Sequence, residues 1–182
     1  MITVIAYDPS WPLRFAELRD RLWAVVDGHA SAIEHVGSTA VPGLAAKPII
    51  DVDIIVDSAD QVPAVIRCLE AIGYRHQGDL GIPGREAFIA PQGAVAHHLY
   101  VCPRDALALR NHLAIRDHLR ADADSARRYG ELKMGLAATY RDDSAGYTTA
   151  KTEFLLAILK AQGFPVAALA TISALNRPGP AA

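Results

Sequence analysis

Apolar positions recur with two different periods along this chain, and the change between them falls near residue 104. Side chains alternate faces along a strand and return to one face every 3.6 residues along a helix, so the two periods separate the elements. Ile2 to Tyr7 reads as a short strand. Ser10 then stands as a cap, with Pro12 in the first turn and Trp11, Phe15, Leu18, Leu22 and Val25 at helical spacing as far as Gly28. Ser31 to Val36 and Pro48 to Val56 are the next strands, and Ala59 to Ile72 suits a helix that Gly73 stops. Three short strands follow, around Tyr74 to Gln77, Glu86 to Ala90 and Val95 to Val101, divided by the turn signals GDLGIPG and PQG. From Arg104 the period is helical over 104–120, 125–141 and 145–163. Pro165 interrupts it, an Ala-rich segment follows, and 175–182 reads as a frayed tail. Strands first and helices afterwards predict an α+β fold, a mixed sheet with helices packed on one side and a C-terminal helical subregion. No repeat or low-complexity linker divides the chain. The expectation is one domain over 1–182, with a sheet-containing core at 1–103 and the helical subregion at 104–163.

The strand from Pro48 to Val56 breaks its own apolar pattern. Ile49, Asp51, Asp53 and Ile55 share one face, while Ile50, Val52, Ile54 and Val56 share the other. Two carboxylates at i and i+2 project the same way from Cα atoms roughly 6.5 to 7 Å apart. Uncompensated, they raise each other's pKa and cost stability; a hard divalent cation such as Mg²⁺ or Mn²⁺ neutralises both. Mg²⁺ held by one or two carboxylates completes its shell with water and substrate phosphates, which points to phosphoryl or nucleotidyl transfer. The competing reading is an edge strand whose Asp face is wet. Thirteen residues upstream of Asp51, Gly37-Ser38 follows a strand, and a hairpin-like return would set this turn beside the carboxylates. Glycine lets backbone N–H groups approach a phosphate, and the serine hydroxyl adds another donor.

Composition narrows the class. A hydrophobic share of 51% in 182 residues is ample for a core, and a net charge of −2 gives no global reason to expect nucleic acid or an anionic membrane. Two cysteines without metal-ligand spacing argue against a disulfide framework or zinc site, and no run approaches the ~18 apolar residues of a membrane helix. These features predict a cytoplasmic protein.

Four lysines stand against fourteen arginines, and two of the four occupy matched positions. Tyr129, Lys133, Leu136 and Tyr140 lie at i, i+4, i+7 and i+11, and Tyr147, Lys151, Phe154 and Ile158 repeat that spacing. A compact ammonium on a packed helix face suits a phosphate or carboxylate, whereas snorkelling to solvent is the plainer alternative. Lys47 precedes the Asp strand, and Arg85 follows a glycine-bearing loop able to close over a ligand or to serve only as a hairpin connection. His112, Arg116 and Arg120 align on one helix face, and such a basic row reads as solvated.

Val36-Gly37-Ser38 followed by Asp51-Val52-Asp53 is similar to the fingerprint of the nucleotidyltransferase superfamily. The wider stretch IEHVGSTAVPGLAAKPIIDVDIIV resembles the GrpB family more closely, a group of nucleotidyltransferase-like proteins without a settled reaction. GIPGREAF at 81–88, HHLYVC at 97–102, RNHLAIRDHLR at 110–120 and YTTAKTEFL at 147–155 extend the resemblance. It implies the nucleotidyltransferase-type sheet, with Gly37, Ser38, Asp51 and Asp53 as phosphate- and metal-binding candidates. One element departs from the superfamily pattern. Many active members add a third carboxylate from a later strand, and Ala94 to Val101 contains none; His98 and Tyr100 share a face there instead, and Glu86 is the alternative third acid. His97 and His98 also fit a strand with one hydrogen-bonded inward imidazole and one exposed.

The expected ligand is therefore a small phosphate-containing or other anionic molecule, a nucleotide first. The candidate catalytic residues are Asp51, Asp53 and His98, and the candidate ligand-binding residues are Gly37, Ser38, Lys47, Arg85, Tyr100, Lys133 and Lys151. An enzyme of another class on the same scaffold and a non-catalytic small-molecule binder are the alternatives. Nucleic acid is not favoured, because basic residues and aromatics form no evident strip.

Overall fold

In the computed structural model, which describes residues 1–177, a five-stranded mixed sheet separates two groups of helices. The strands are β1 (Ala32–Val36), β2 (Ile50–Val56), β3 (Arg75–His76), β4 (Glu86–Ile89) and β5 (His97–Pro103), in the spatial order β1-β2-β5-β4-β3. β1 and β2 are antiparallel, β2 and β5 parallel, and β5, β4 and β3 form an antiparallel meander. The Asp strand is thus interior, with neighbours on both edges, which removes the wet-edge reading.

One face of the sheet carries the main core. α1 (Trp11–Val26) and α2 (Val62–Ala71) pack Trp11, Leu18, Leu22, Val65 and Leu69 against Ile50, Val52, Ile54, Leu99 and Val101. These even-numbered β2 residues are the set that period-2 alternation assigned to the apolar side. Fully burying each such aliphatic side chain contributes roughly 1.5 to 3 kcal/mol, which accounts for the dominance of this face in holding the sheet. On the opposite face Ile55 and Cys102 meet Leu109 of α3 (Leu107–Ala121). α4 (Ala123–Thr139) and α5 (Ser144–Ala161) complete the helical subregion through a second core of Val41, Leu44, Leu119, Ala126, Tyr129 and Ile158. Asp122 and Asp143 cap α4 and α5, their carboxylates accepting from the N–H groups of Ser125 and Gly146.

The mixed-sheet α+β class holds, and three finer expectations are corrected. The helices cover both faces of the sheet, not one side, because the apolar Ile55 and Cys102 on the Asp face take Leu109 of α3. Ile2 to Tyr7 forms no strand; it contributes a single bridge in which Ile5 and Ala46 exchange backbone hydrogen bonds of 2.9 and 3.0 Å. The Ala-rich segment after Pro165 is a helix, α6 (Val166–Asn176), packed on α5. Pro165 does not prevent it, because a proline at a helix start forfeits no intrahelical hydrogen bond. Leu175 and Asn176, assigned by sequence to a frayed tail, close α6; the rest of that tail from Pro178 lies outside the described residues.

Candidate functional site

The second face of the sheet is where the charged strand residues collect. Register pairs Val36 with Asp51 and Glu34 with Asp53 across β1 and β2, and Asp51 with His98 and Asp53 with Tyr100 across β2 and β5. Paired residues share a face. The antiparallel return therefore places the turn after Val36 beside Asp51. Gly37 adopts φ +69°, and a Cβ built on it would lie 2.1 Å from Asp51 Oδ2, so no other residue fits at this contact. Ser38 opens a one-turn helix, Ser38–Ala40, with its hydroxyl toward the cleft.

Both carboxylates already have imidazole partners. His98 Nδ1 lies 2.8 Å from Asp51 Oδ1, and the hydrogen bond to Asp51 raises the His98 pKa against the opposing effect of burial. His112 Nδ1 of α3 lies 2.8 Å from Asp53 Oδ2. Burial pulls the His112 pKa down, and the charge of Asp53 together with their hydrogen bond more than reverses it. Asp51 is partly exposed and lines the cleft, whereas Asp53 is fully buried and its Oδ1 has no hydrogen-bond partner.

The cations come from four elements. Lys133 Nζ reaches from α4 to Ser38 Oγ, donating at 2.7 Å, and stands 4.6 Å from the Tyr129 ring. Its residue is only 2% exposed, and burial, reinforced by the neighbouring Lys151 charge, pushes its pKa down to about 7. Lys151 of α5 and Lys47 from the loop before β2 lie 5.2 and 4.6 Å from the Tyr147 ring. Burial lowers both lysines' pKa values, while Asp51 opposes the effect. The repeated Tyr-x-x-x-Lys spacing is thus a repeated contact, each lysine resting on the tyrosine one turn earlier. Arg85 leaves the 78–84 loop and lies over the Tyr100 ring at 4.4 Å; burial raises the Tyr100 pKa to about 12.

Ser38, Lys47, Asp51, Arg85, His98, Tyr100, Lys133 and Lys151 line one cleft of about 440 Å³ between the sheet and α4–α6. Of the sequence candidates, Gly37 borders an adjoining cavity that Ser38 and Asp51 also line, and Asp53 lies beneath the surface behind His112. Glu86 is not a third acid here. It pairs with Val101, which faces the α1–α2 core, and it contacts His76 Nε2 at 2.6 Å. His97 turns inward to Tyr74 and the carbonyl of Val95.

The basic row on α3 is solvated only at Arg120. His112 holds Asp53; Arg116 is buried between Glu34, Asp117 and the carbonyl of His35; Arg120 donates to the carbonyl of Ala40. His112 and Arg116 thus pack against the charged face of β1 and β2, and Arg120 stays exposed beyond its end. The acid Glu34, two residues before Val36 on the Asp face, was the available signal for this contact.

Residues 1–161 match the family model described as GrpB protein. The chain belongs to the GrpB family. It is 36% identical over 154 residues to UPF0157 protein YqkA of Bacillus subtilis, covering 85% of this chain and 45% of that protein. It is 38% identical to a UPF0157 protein of Pseudomonas aeruginosa, covering 87% of this chain and 66% of the relative. This GrpB chain therefore spans about half to two thirds of the length of these two relatives. The crystal structure of conserved protein GrpB from Enterococcus faecalis superposes with a TM-score of 0.78 at 34% identity, over 93% of this chain and 98% of that one. The Cid1 poly(U) polymerase, in a mutant bound to MgATP, aligns with a TM-score of 0.56 at 14% identity over 81% of this chain and 50% of its own. That likeness shows the nucleotidyltransferase-like fold of this GrpB chain. No described helix is long and apolar enough to cross a membrane.

The donor set bears on the divalent ion that such a fold implies. Among the described residues no three His, Cys, Asp or Glu side chains converge on one metal position. Two carboxylates on one face and an unpartnered buried Asp53 oxygen fit an ion that arrives with its phosphates, since Mg²⁺ takes the rest of its shell from substrate and water.

Proposed function

We propose that this GrpB protein binds a nucleotide or other phosphate-bearing molecule in the cleft between the sheet and α4–α6, and acts as a nucleotidyltransferase toward a small-molecule acceptor. The observation that carries the reading is the Lys133–Ser38 hydrogen bond, 2.7 Å long and flanked by Lys47, Lys151 and Arg85 in one cleft. Four basic side chains gather around a single accessible carboxylate, and such an excess of positive charge in a partly dehydrated cleft is a site for a polyanion.

Ser38 and Lys133 donate to the terminal phosphate oxygens, and Lys151 and Lys47 neutralise the chain behind them. Their tyrosine supports restrict the ammonium groups to the cleft. Gly37 allows the Ser38 turn to lie directly against Asp51, so phosphate donors and carboxylates stay adjacent. His98 and His112 orient the two carboxylates through one oxygen each. When bound, Mg²⁺ or Mn²⁺ held by Asp51 and the unpartnered oxygen of Asp53 would polarise the reacting phosphoryl group. Binding of the anion also recharges Lys133, whose ammonium burial and the Lys151 charge disfavour.

A second reading, a binder without transfer chemistry, is favoured by His98 and Tyr100 standing opposite the two aspartates where a third carboxylate would be sought. Calorimetric titration of wild type and Lys151→Met with tripolyphosphate and with nucleoside triphosphates, each with and without Mg²⁺, tests the site. Micromolar to submillimolar binding weakened about tenfold or more by the substitution is the expected result. Absence of binding by wild type at millimolar concentration refutes it. Acceptor-dependent pyrophosphate release from the triphosphate, with a panel of amine and hydroxyl acceptors, then separates nucleotidyltransferase from binder.

A further inference from the structure

Beside the cationic cleft lies a smaller pocket of about 150 Å³, enclosed by α3, α6 and the end of the 78–84 loop. Its walls are mostly apolar, with Ile82, Leu107, Ala108, Ile172 and Leu175 prominent. Five polar side chains, Arg85, Asn111, His112, Thr171 and Asn176, interrupt them, and two of these carry a buried atom without a partner. Asn111 Oδ1 and Arg85 Nε are both buried, both belong to side chains lining this pocket, and both lack a hydrogen-bond partner within the protein. Buried polar atoms are rarely left unpaired, because each costs about 1 to 3 kcal/mol. One is an acceptor and the other a donor, in a cavity with mostly apolar walls. That combination recognises a flat, largely apolar group with a polar edge.

The pocket is connected to the phosphate cleft through shared walls. Arg85, Leu175 and Asn176 line both, and Asn111, His112 and Asn176 also line the adjoining cavity that Ser38 and Asp51 border. Its volume is about half the lower end of ordinary ligand pockets, so it admits one ring system and not a whole nucleotide.

The geometry points to this pocket as the subsite for the heterocyclic base of the ligand, with Asn111 accepting from a ring or exocyclic N–H and Arg85 Nε–H donating to a neighbouring ring nitrogen or carbonyl. The assignment rests on the phosphate-binding reading of the cleft. It makes the ligand a nucleotide and separates it from inorganic polyphosphate, acyl phosphates and sugar phosphates. It gives α6 a function too: Thr171, Ile172, Leu175 and Asn176 form the far wall of the base subsite, although α6 lies beyond the residues matched by the family model. Thr149 Oγ1 holds the end of that helix by donating to the carbonyl of Asn176, and Arg177 pairs with Glu153.

Calorimetry of the full chain with tripolyphosphate and with the four ribonucleoside triphosphates, in the presence of Mg²⁺, tests the assignment. Asn111→Leu removes the acceptor at similar volume, and Thr171→Trp fills the pocket from the exposed side of α6. Wild type should bind at least one nucleotide about tenfold more tightly than tripolyphosphate. Each substitution should bring that nucleotide within about threefold of tripolyphosphate while leaving tripolyphosphate affinity unchanged. Circular dichroism and melting confirm that the variants fold, and Thr171→Trp keeps the test decisive should Asn111→Leu fail to do so. If wild type binds tripolyphosphate and nucleotides equally, the base subsite is wrong and the phosphate cleft stands. If both variants retain the wild-type preference, the preference arises elsewhere and the assignment is again overturned. If neither tripolyphosphate nor any nucleotide binds wild type, the cleft reading fails, and the subsite with it.

Discussion

Replacing Lys133 by Met removes one buried charge while keeping most of the aliphatic stem that rests on Tyr129. In the folded protein this lysine's pKa falls from 10.5 to about 7, with burial the largest cause and the Lys151 charge the next. At 1.36 kcal/mol per pH unit the cost of holding the ammonium at this buried position is at most about 5 kcal/mol. Relaxation of the site and loss of the Ser38 hydrogen bond reduce the net gain from Met to about 1 to 2 kcal/mol. The native state binds fewer protons here than the unfolded chain between pH 7 and 10.5. The penalty is therefore complete below about pH 7 and disappears as pH rises through 10.5. Lys133→Met should accordingly melt about 2 to 8 °C higher than wild type at pH 6.5. The difference should shrink steadily toward pH 10, and the thermal shift produced by tripolyphosphate should fall by more than half. Differential scanning fluorimetry across pH, with and without tripolyphosphate, reads all three quantities. A variant that melts lower than wild type at every pH would show that the Lys133–Ser38 bond is a structural prop. A gain independent of pH would show that Lys133 does not titrate in this range.

Three further outcomes follow from the same geometry. Gly37→Ala drives a Cβ to 2.1 Å from Asp51 Oδ2 at a backbone φ of +69° and should cost about 2 kcal/mol or more of stability, read by urea unfolding, together with most ligand binding; a variant within 0.5 kcal/mol of wild type on the usual scatter of surface substitutions would refute the contact. Asp51→Asn should leave apo stability nearly unchanged because the side chain is partly exposed, whereas Asp53→Asn uncouples a fully buried carboxylate from His112 and should lower stability by about 2 to 4 kcal/mol; equal melting temperatures for the two variants would contradict the burial difference. Arg116→Met strands Glu34 and the carbonyl of His35 and should cost about 2 to 3 kcal/mol in chemical denaturation, against near-neutrality for a solvated arginine.

The local parts of this site were legible in the sequence because they depend on short-range geometry. Period-2 alternation alone placed Asp51 and Asp53 on one face, and the spacing from Gly37-Ser38 to Asp51 fits an antiparallel return that brings the turn to the carboxylates. The matched Tyr-x-x-x-Lys spacings marked Lys133 and Lys151 as neighbours of rings on packed helix faces, since i and i+4 side chains stack on any helix. What tertiary structure decided was which distant surfaces meet. Parallel pairing of β2 with β5, across a crossover of forty residues, set His98 opposite Asp51, and no local pattern specifies that register. The row His112, Arg116 and Arg120 has the spacing of a solvated face, and yet His112 and Arg116 are taken up by Asp53, Glu34, Asp117 and the carbonyl of His35, leaving only Arg120 exposed. A polar helix stripe reads identically whether water or a charged sheet face supplies its partners. For α6 the sequence supplied small apolar residues after a proline and no amphipathic stripe. Packing on α5 made it a helix, and only that docking turned Leu175 and Asn176 into walls of the cleft.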